Sequence, residues 1–117
     1  PRADEQIYDC NMTTGADNLI PGRVLIIRDL ATNQISVFDG LIKYLQDKPM
    51  VAKVKVDSPT RLELGWTVKH LPLTKGAEGM GIFALTFIKG DLRAHESVVL
   101  AGYDNAENRS GTCVLAK

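Results

Sequence analysis

Between Val51 and Leu71 the chain reads VAKVKVDSPTRLELGWTVKHL, and apolar and polar side chains alternate on either side of Ser58-Pro59-Thr60. Period-two alternation marks a strand with one buried face. Folding the stretch back across a three-residue loop sets Val56 opposite Leu62, Val54 opposite Leu64 and Ala52 opposite Trp66. The other face then matches Asp57 with Arg61 and Lys55 with Glu63, opposite charges as cross-strand neighbours. A slip of one residue would turn the lysines inward, so burial sets this register. Thr60 occupies the loop position that favours glycine, and a longer loop with one fewer pair is the alternative.

The same alternation recurs along the chain. Glu5 to Asn11 reads as a first strand, Arg23 to Asp29 as a central one with apolar residues on both faces, and Gln34 to Phe38 as a third with Ile35 and Val37 inward. Asp39-Gly40 is a strong hairpin signal, and a two-residue turn there pairs Val37 with Ile42 and Ile35 with Tyr44. The alternative is a short helix near 41–48, capped by Asp39 and ended before Pro49. Met80 to Lys89 and Leu92 to Tyr103 fold back across Gly90-Asp91, setting Phe87 against Ala94, Leu85 against Glu96 and Phe83 against Val98. Met12 to Pro21, Pro72 to Gly79 and Asp104 to Ser110 read as polar loops, and Gly111 to Ala116 as a closing strand. Eight or nine strands joined by tight turns predict a single all-β domain over residues 1–117. We expect an antiparallel up-and-down β-barrel, with a β-sandwich as the alternative.

Charge changes the picture by exclusion. The 14 basic residues balance the 14 acidic ones with no long run of one sign, so no nucleic-acid surface is expected. The apolar runs are too short to span a bilayer as a helix. Two cysteines, Cys10 and Cys113, stand near opposite ends of the chain and outside any CxxC pattern. One disulfide joining the first strand to the last is expected, with two buried free thiols as the alternative. The disulfide reading implies an oxidising compartment, periplasmic or extracellular. Pro1-Arg2-Ala3-Asp4 has no apolar core of a signal peptide, which suits a mature chain whose leader has been removed.

Tyr8-Asp9-Cys10 and Gly111-Thr112-Cys113 frame an all-β middle. This frame resembles that of small exported bacterial β-barrel proteins, including inhibitors of c-type lysozyme. In that family a cysteine pair ties the barrel and a Ser-Gly loop, followed by a basic residue and an aromatic, enters the enzyme's cleft. Here Ser110-Gly111 is followed by Thr112-Cys113. The resemblance therefore implies residence in the bacterial envelope, and no inhibitory residue is carried over.

Candidate chemistry is sparse. Glu96 shares a predicted face with Phe83, Phe87, Val98 and Leu100. A carboxylate there is costly to ionise, so a local bulge that turns Glu96 to solvent is expected, with a polar anchor in a ligand pocket, or an acid, as the alternative. Trp66 is a core residue that would line a pocket if the barrel were hollow. His70 falls in line with Leu62, Leu64, Trp66 and Val68, and His95 opposite Thr86; both are expected to be hydrogen-bonded or at a rim. No metal site, cofactor motif or catalytic constellation is expected, since the glycines of KGAEGMG fit no phosphate-binding pattern and no GxSxG is present. The leading expectation is a non-enzymatic exported domain that binds a protein or envelope component through its loops. The alternative is a carrier of a small apolar ligand, with Glu96, Trp66 and His70 as pocket candidates.

Overall fold

The structure, a computed structural model, describes residues 4–13, 19–72, 76–102 and 106–116. Along them run β1 (Glu5–Met12), β2 (Arg23–Asp29), β3 (Ile35–Asp39), α1 (Gly40–Gln46), β4 (Met50–Val51), β5 (Lys53–Asp57), β6 (Arg61–Pro72), β7 (Glu78–Ile88), β8 (Arg93–Leu100) and β9 (Ala106–Leu115). All strand pairs are antiparallel, in the order β4-β3-β2-β1-β9-β8-β7-β6-β5. The sheet curls until its ends nearly meet. A single run of chain makes the closure: Met50 and Val51 pair with β3, and the residues from Lys53 pair with β6. Ala52, at the crossing, donates its amide to the Ile35 carbonyl at 2.9 Å. The expected up-and-down barrel is borne out, and the sandwich is not what forms.

The β7–β8 hairpin has the predicted register, with Phe87 opposite Ala94, Leu85 opposite Glu96 and Phe83 opposite Val98. The two cysteines are direct cross-strand partners on β1 and β9, and they form the disulfide. The expected loop from Asp104 to Ser110 is overturned in part, because β9 already begins at Ala106 and pairs with β8 from there through Thr112.

Three local readings are corrected. The first concerns Asp39-Gly40, which opens helix α1 instead of a hairpin. The Asp39 Oδ1 accepts the Ile42 amide at 2.8 Å, a helix N-cap, and the backbone of Asp39 is extended as capping requires. Asp47 ends the helix in the left-handed region at φ 55°, its amide bonding the Ile42 and Lys43 carbonyls. The helix wins because it buries Ile42 against the barrel end, leaves Tyr44 in solvent, and frees β3 to pair with β4.

The second correction is in β5–β6. Val54 faces Leu64 as expected, but the register shifts beyond it, so that Val56 faces Glu63 and Asp57 faces Leu62. A bulge at this point exchanges the faces of the last two β5 residues. The loop is the longer alternative. Ser58 Oγ accepts the Arg61 amide at 3.0 Å, which supplies the turn without a left-handed residue at Thr60. The expected Asp57–Arg61 and Lys55–Glu63 pairs do not form; Arg61 bonds Glu63 at 2.9 Å along the same strand.

The third is a second bulge, between Val68 and Leu71 on β6. His70 takes φ 58° there, which turns Leu71 inward and His70 out.

The two ends of the barrel differ. One end carries the short connections around Ala31–Asn33, Ser58–Thr60 and Lys89–Leu92. The other carries α1 and the segment at Leu19–Ile20. Between them the interior is filled by Val24, Ile26, Val37, Leu64, Leu85, Phe83, Phe87 and Val98, all essentially without exposure. The middle of the barrel is therefore lined throughout by buried apolar side chains.

Candidate functional site

The inward positions keep their period of two to the hairpin end of the barrel, and there their chemistry changes. On β1 the inward series Met12, Cys10, Tyr8 arrives at Gln6. On β2 the series Val24, Ile26 arrives at Arg28, and beyond β7 the series Phe83, Leu85, Phe87 arrives at Lys89. The β5 bulge brings Asp57 to the same place, opposite inward Leu62.

These side chains surround a cavity of about 380 Å³ that opens to solvent. Its floor is apolar: Tyr8, Ile26, Ile35, Leu62 and Phe87. Tyr8 and Phe87 lie ring to ring at 4.7 Å, tilted by 50°. Its rim is polar: Gln6, Arg28, Asp57 and Lys89. The accessible lining is more polar than apolar, because Ile26, Ile35, Leu62 and Phe87 are almost fully buried behind it; convergent polar groups over an apolar base are a common feature of small-molecule sites.

The rim is held by one carboxylate. Asp57 Oδ1 accepts from Lys89 Nζ at 2.8 Å, and Oδ2 accepts from Arg28 Nη2 at 3.0 Å. Lys89 also donates to the Ser58 carbonyl at 2.6 Å, and Arg28 Nη1 to Asn33 Oδ1 at 3.0 Å. Asp57 thus joins β5 to β2 and to the β7–β8 turn across the place where the sheet has no backbone ladder. Lys89 first, then Arg28, holds its carboxyl below the ordinary carboxylate range, against the raising effect of partial burial. Two cations meet one anion, so the mouth carries a net positive charge.

A second polar group of residues lies inside the barrel, away from this cavity. Glu96 is 1% exposed and stands between Leu85 on β7 and Arg109 on β9. The expected bulge does not occur at this position, since the β7–β8 register is unbroken, and Glu96 faces inward. Neither Glu96 carboxylate oxygen has a hydrogen-bond partner among the described residues. Burial, and then the charges of Asp39 and Glu107, push its carboxyl up to about 8. Asp39 is also raised, by burial, against the lowering effect of the Ile42 and Leu41 amides. Glu107 has better company: its oxygens accept the Leu19 and Ile20 amides at 3.3 and 3.1 Å, and Arg109 Nη2 lies 3.4 Å away. Glu107 therefore pins buried Ile20 into the loop end of the barrel and closes it.

The three pocket candidates are not brought together. Glu96, Trp66 and His70 are all absent from the cavity wall. Trp66 is buried and stacked on Phe83, with ring centres 5.6 Å apart and planes 6° apart. The His70 side chain is 78% exposed and contacts Glu78 through Nδ1 at 3.1 Å. Its predicted place in line with Leu62 to Val68 is undone by the β6 bulge. His95 is hydrogen-bonded to Ser110 Oγ at 3.0 Å, as expected of it. Residues 14–18 and 73–75, where the two expected binding loops have their centres, lie outside the described residues.

The cavity residues carry a signal in the sequence. Arg28 and Gln6 sit on the inward period of otherwise apolar series, and Lys89 follows Phe87 by two. A charge at an inward position beside a strand end marks a mouth as readily as a turn. Asp57 carried no such signal, because only the bulge turns it in.

Among the described residues no cluster of three or more His, Cys, Asp or Glu is placed to hold a metal ion, and no helix is long and apolar enough to cross a membrane. No protein-family model, curated protein or solved structure matches this chain, so the chemistry of the cavity rests on its own residues.

Proposed function

We propose that the protein is a non-enzymatic binding barrel that takes a small apolar molecule into its open hairpin end. The observation that carries this is the cavity of about 380 Å³ floored by Tyr8, Ile26, Ile35, Leu62 and Phe87. A barrel of about eight strands is wide enough either to be filled by its own side chains or to hold one small ligand. This one buries apolar side chains in its middle and leaves room for a ligand at one end. The binding reading is favoured over catalysis because the lining's acid and base candidates, Asp57 and Lys89, are tied to each other in an ion pair at 2.8 Å. The disulfide between Cys10 and Cys113 favours a non-reducing compartment, and with it a periplasmic or extracellular site of action.

The test is a titration with 1-octanol, followed by amide shifts in the nuclear magnetic resonance spectrum. Burying its chain would contribute roughly 5 kcal/mol before entropic costs at about 0.8 kcal/mol per CH₂, so saturation is expected at high micromolar to millimolar concentration. Shifts should centre on Tyr8, Ile26, Leu62 and Phe87, and Leu62→Trp should abolish them while leaving the β-sheet circular dichroism intact. Absence of saturable shifts at these residues would refute the proposal.

A further inference from the structure

We infer that the molecule bound in this cavity carries a carboxylate at one end of an apolar body, and that Lys89 and Arg28 receive that carboxylate at the rim. This rests on the binding reading above and adds the chemical class of the ligand. The floor sets the apolar body: Tyr8 lies against Phe87 there, below the charged rim. The rim sets the head group. Lys89 uses two of its three ammonium protons, on Asp57 and Ser58, and Arg28 uses two of its five guanidinium protons, on Asp57 and Asn33. Both cations keep donors for a second acceptor, and both already stand on the cavity wall.

Charge decides between head groups. Asp57 neutralises one cation, so an incoming anion is attracted by the remaining positive charge, and an incoming ammonium is repelled by it. The Arg28 side chain is mostly buried and the Lys89 side chain largely so, which leaves the interaction less screened than at an open surface. Charge-assisted hydrogen bonds of this type are about twice as strong as neutral ones. A cavity of about 380 Å³ takes on the order of a dozen non-hydrogen atoms at ~30 Å³ each, the size of a medium-chain carboxylic acid.

The experiment compares octanoate, 1-octanol and octylammonium by calorimetry at pH 7 with the disulfide-bonded protein. Octanoate should bind at least tenfold more tightly than 1-octanol, and octylammonium more weakly than either. Raising the salt from low to about 0.5 M should weaken octanoate and leave 1-octanol unchanged. Lys89→Gln should weaken octanoate by a larger factor than it changes 1-octanol, closing most of the gap between the two. Asp57→Asn should act in the opposite direction and tighten octanoate, because it releases both cations. If 1-octanol binds and octanoate binds no better, the carboxylate assignment is wrong and the binding barrel stands. If none of the three binds, both fail. Acetate binding as tightly as octanoate would also overturn the inference, since the apolar floor would then contribute nothing.

Discussion

Glu96→Gln should make this protein more stable at neutral and alkaline pH, and the reason can be worked through. Glu96 is 1% exposed, both of its oxygens lack partners among the described residues, and its carboxyl is pushed up to about 8 from an ordinary 4.5. The folded protein therefore holds a proton at pH 7 that the unfolded chain has released. A group with a raised folded-state pKa is neutral in both states below about pH 4.5, so the fold has its full stability there. Stability then falls as the pH rises, by about 1.4 kcal/mol per unit, and levels off above about pH 8. At pH 7 the loss from this one side chain is on the order of 3 kcal/mol. Glutamine has the same shape and never ionises, so the variant escapes the loss. Its amide protons would also face the Asp39 and Glu107 carboxylates that now repel Glu96. Urea unfolding at pH 5, 6, 7 and 8 measures the difference between variant and wild type. That difference should be small at pH 5 and grow in favour of the variant through pH 8. A difference that stays constant across the series would refute the reasoning, and a glutamate turned to solvent would leave Glu96→Leu equally without effect.

Four further outcomes follow from the packing. Replacing both cysteines by alanine should lower stability by about 3–5 kcal/mol, because the Cys10–Cys113 bond closes a separation of 103 residues in the unfolded chain; thermal denaturation with and without reductant reads the same loss in the wild type. Gly111→Ala should destabilise by roughly 1–3 kcal/mol or more, since its new Cβ would collide with the Asn11 carbonyl and lie 2.8 Å from the Met12 Cα, backbone that cannot step aside. Gly65→Ala meets only the flexible end of Lys55, at 2.8 Å, and should change the urea midpoint little. Asp39→Ala should cost about 1 kcal/mol of α1 capping while relieving the charge beside Glu96, so its urea midpoint should fall most at low pH and least above pH 8.

Where the alternation runs unbroken, the fold was legible. Phe83, Leu85 and Phe87 on one strand and Ala94, Glu96 and Val98 on the other could be paired from the sequence, but the cost of burying a carboxylate argued for a bulge at Glu96, and the unbroken register keeps it inside instead. Where one extra residue interrupts the period, the strand beyond it was read with its faces exchanged. That happened to Asp57 after the β5 bulge and to His70 in the β6 bulge. A bulge depends on which neighbour a strand must reach, and no local pattern records that. Asp39-Gly40 suits a tight turn and a helix cap equally well; burial of Ile42 against the barrel, a tertiary contact, decided between them. The cavity escaped notice for a related reason. Its rim is made of single residues from four separate strand ends, which only closure of the sheet collects.

Because β1 is bonded to β9, the barrel cannot shut during synthesis until its final ribbon has left the ribosome. Up to that moment β1 and β8 each present a raw edge, the kind of surface that recruits stray strands from other chains. Contacts this distant in the chain also form slowly. Oxidation of the thiols then acts as a latch, set last, on a ring that has just found its own beginning.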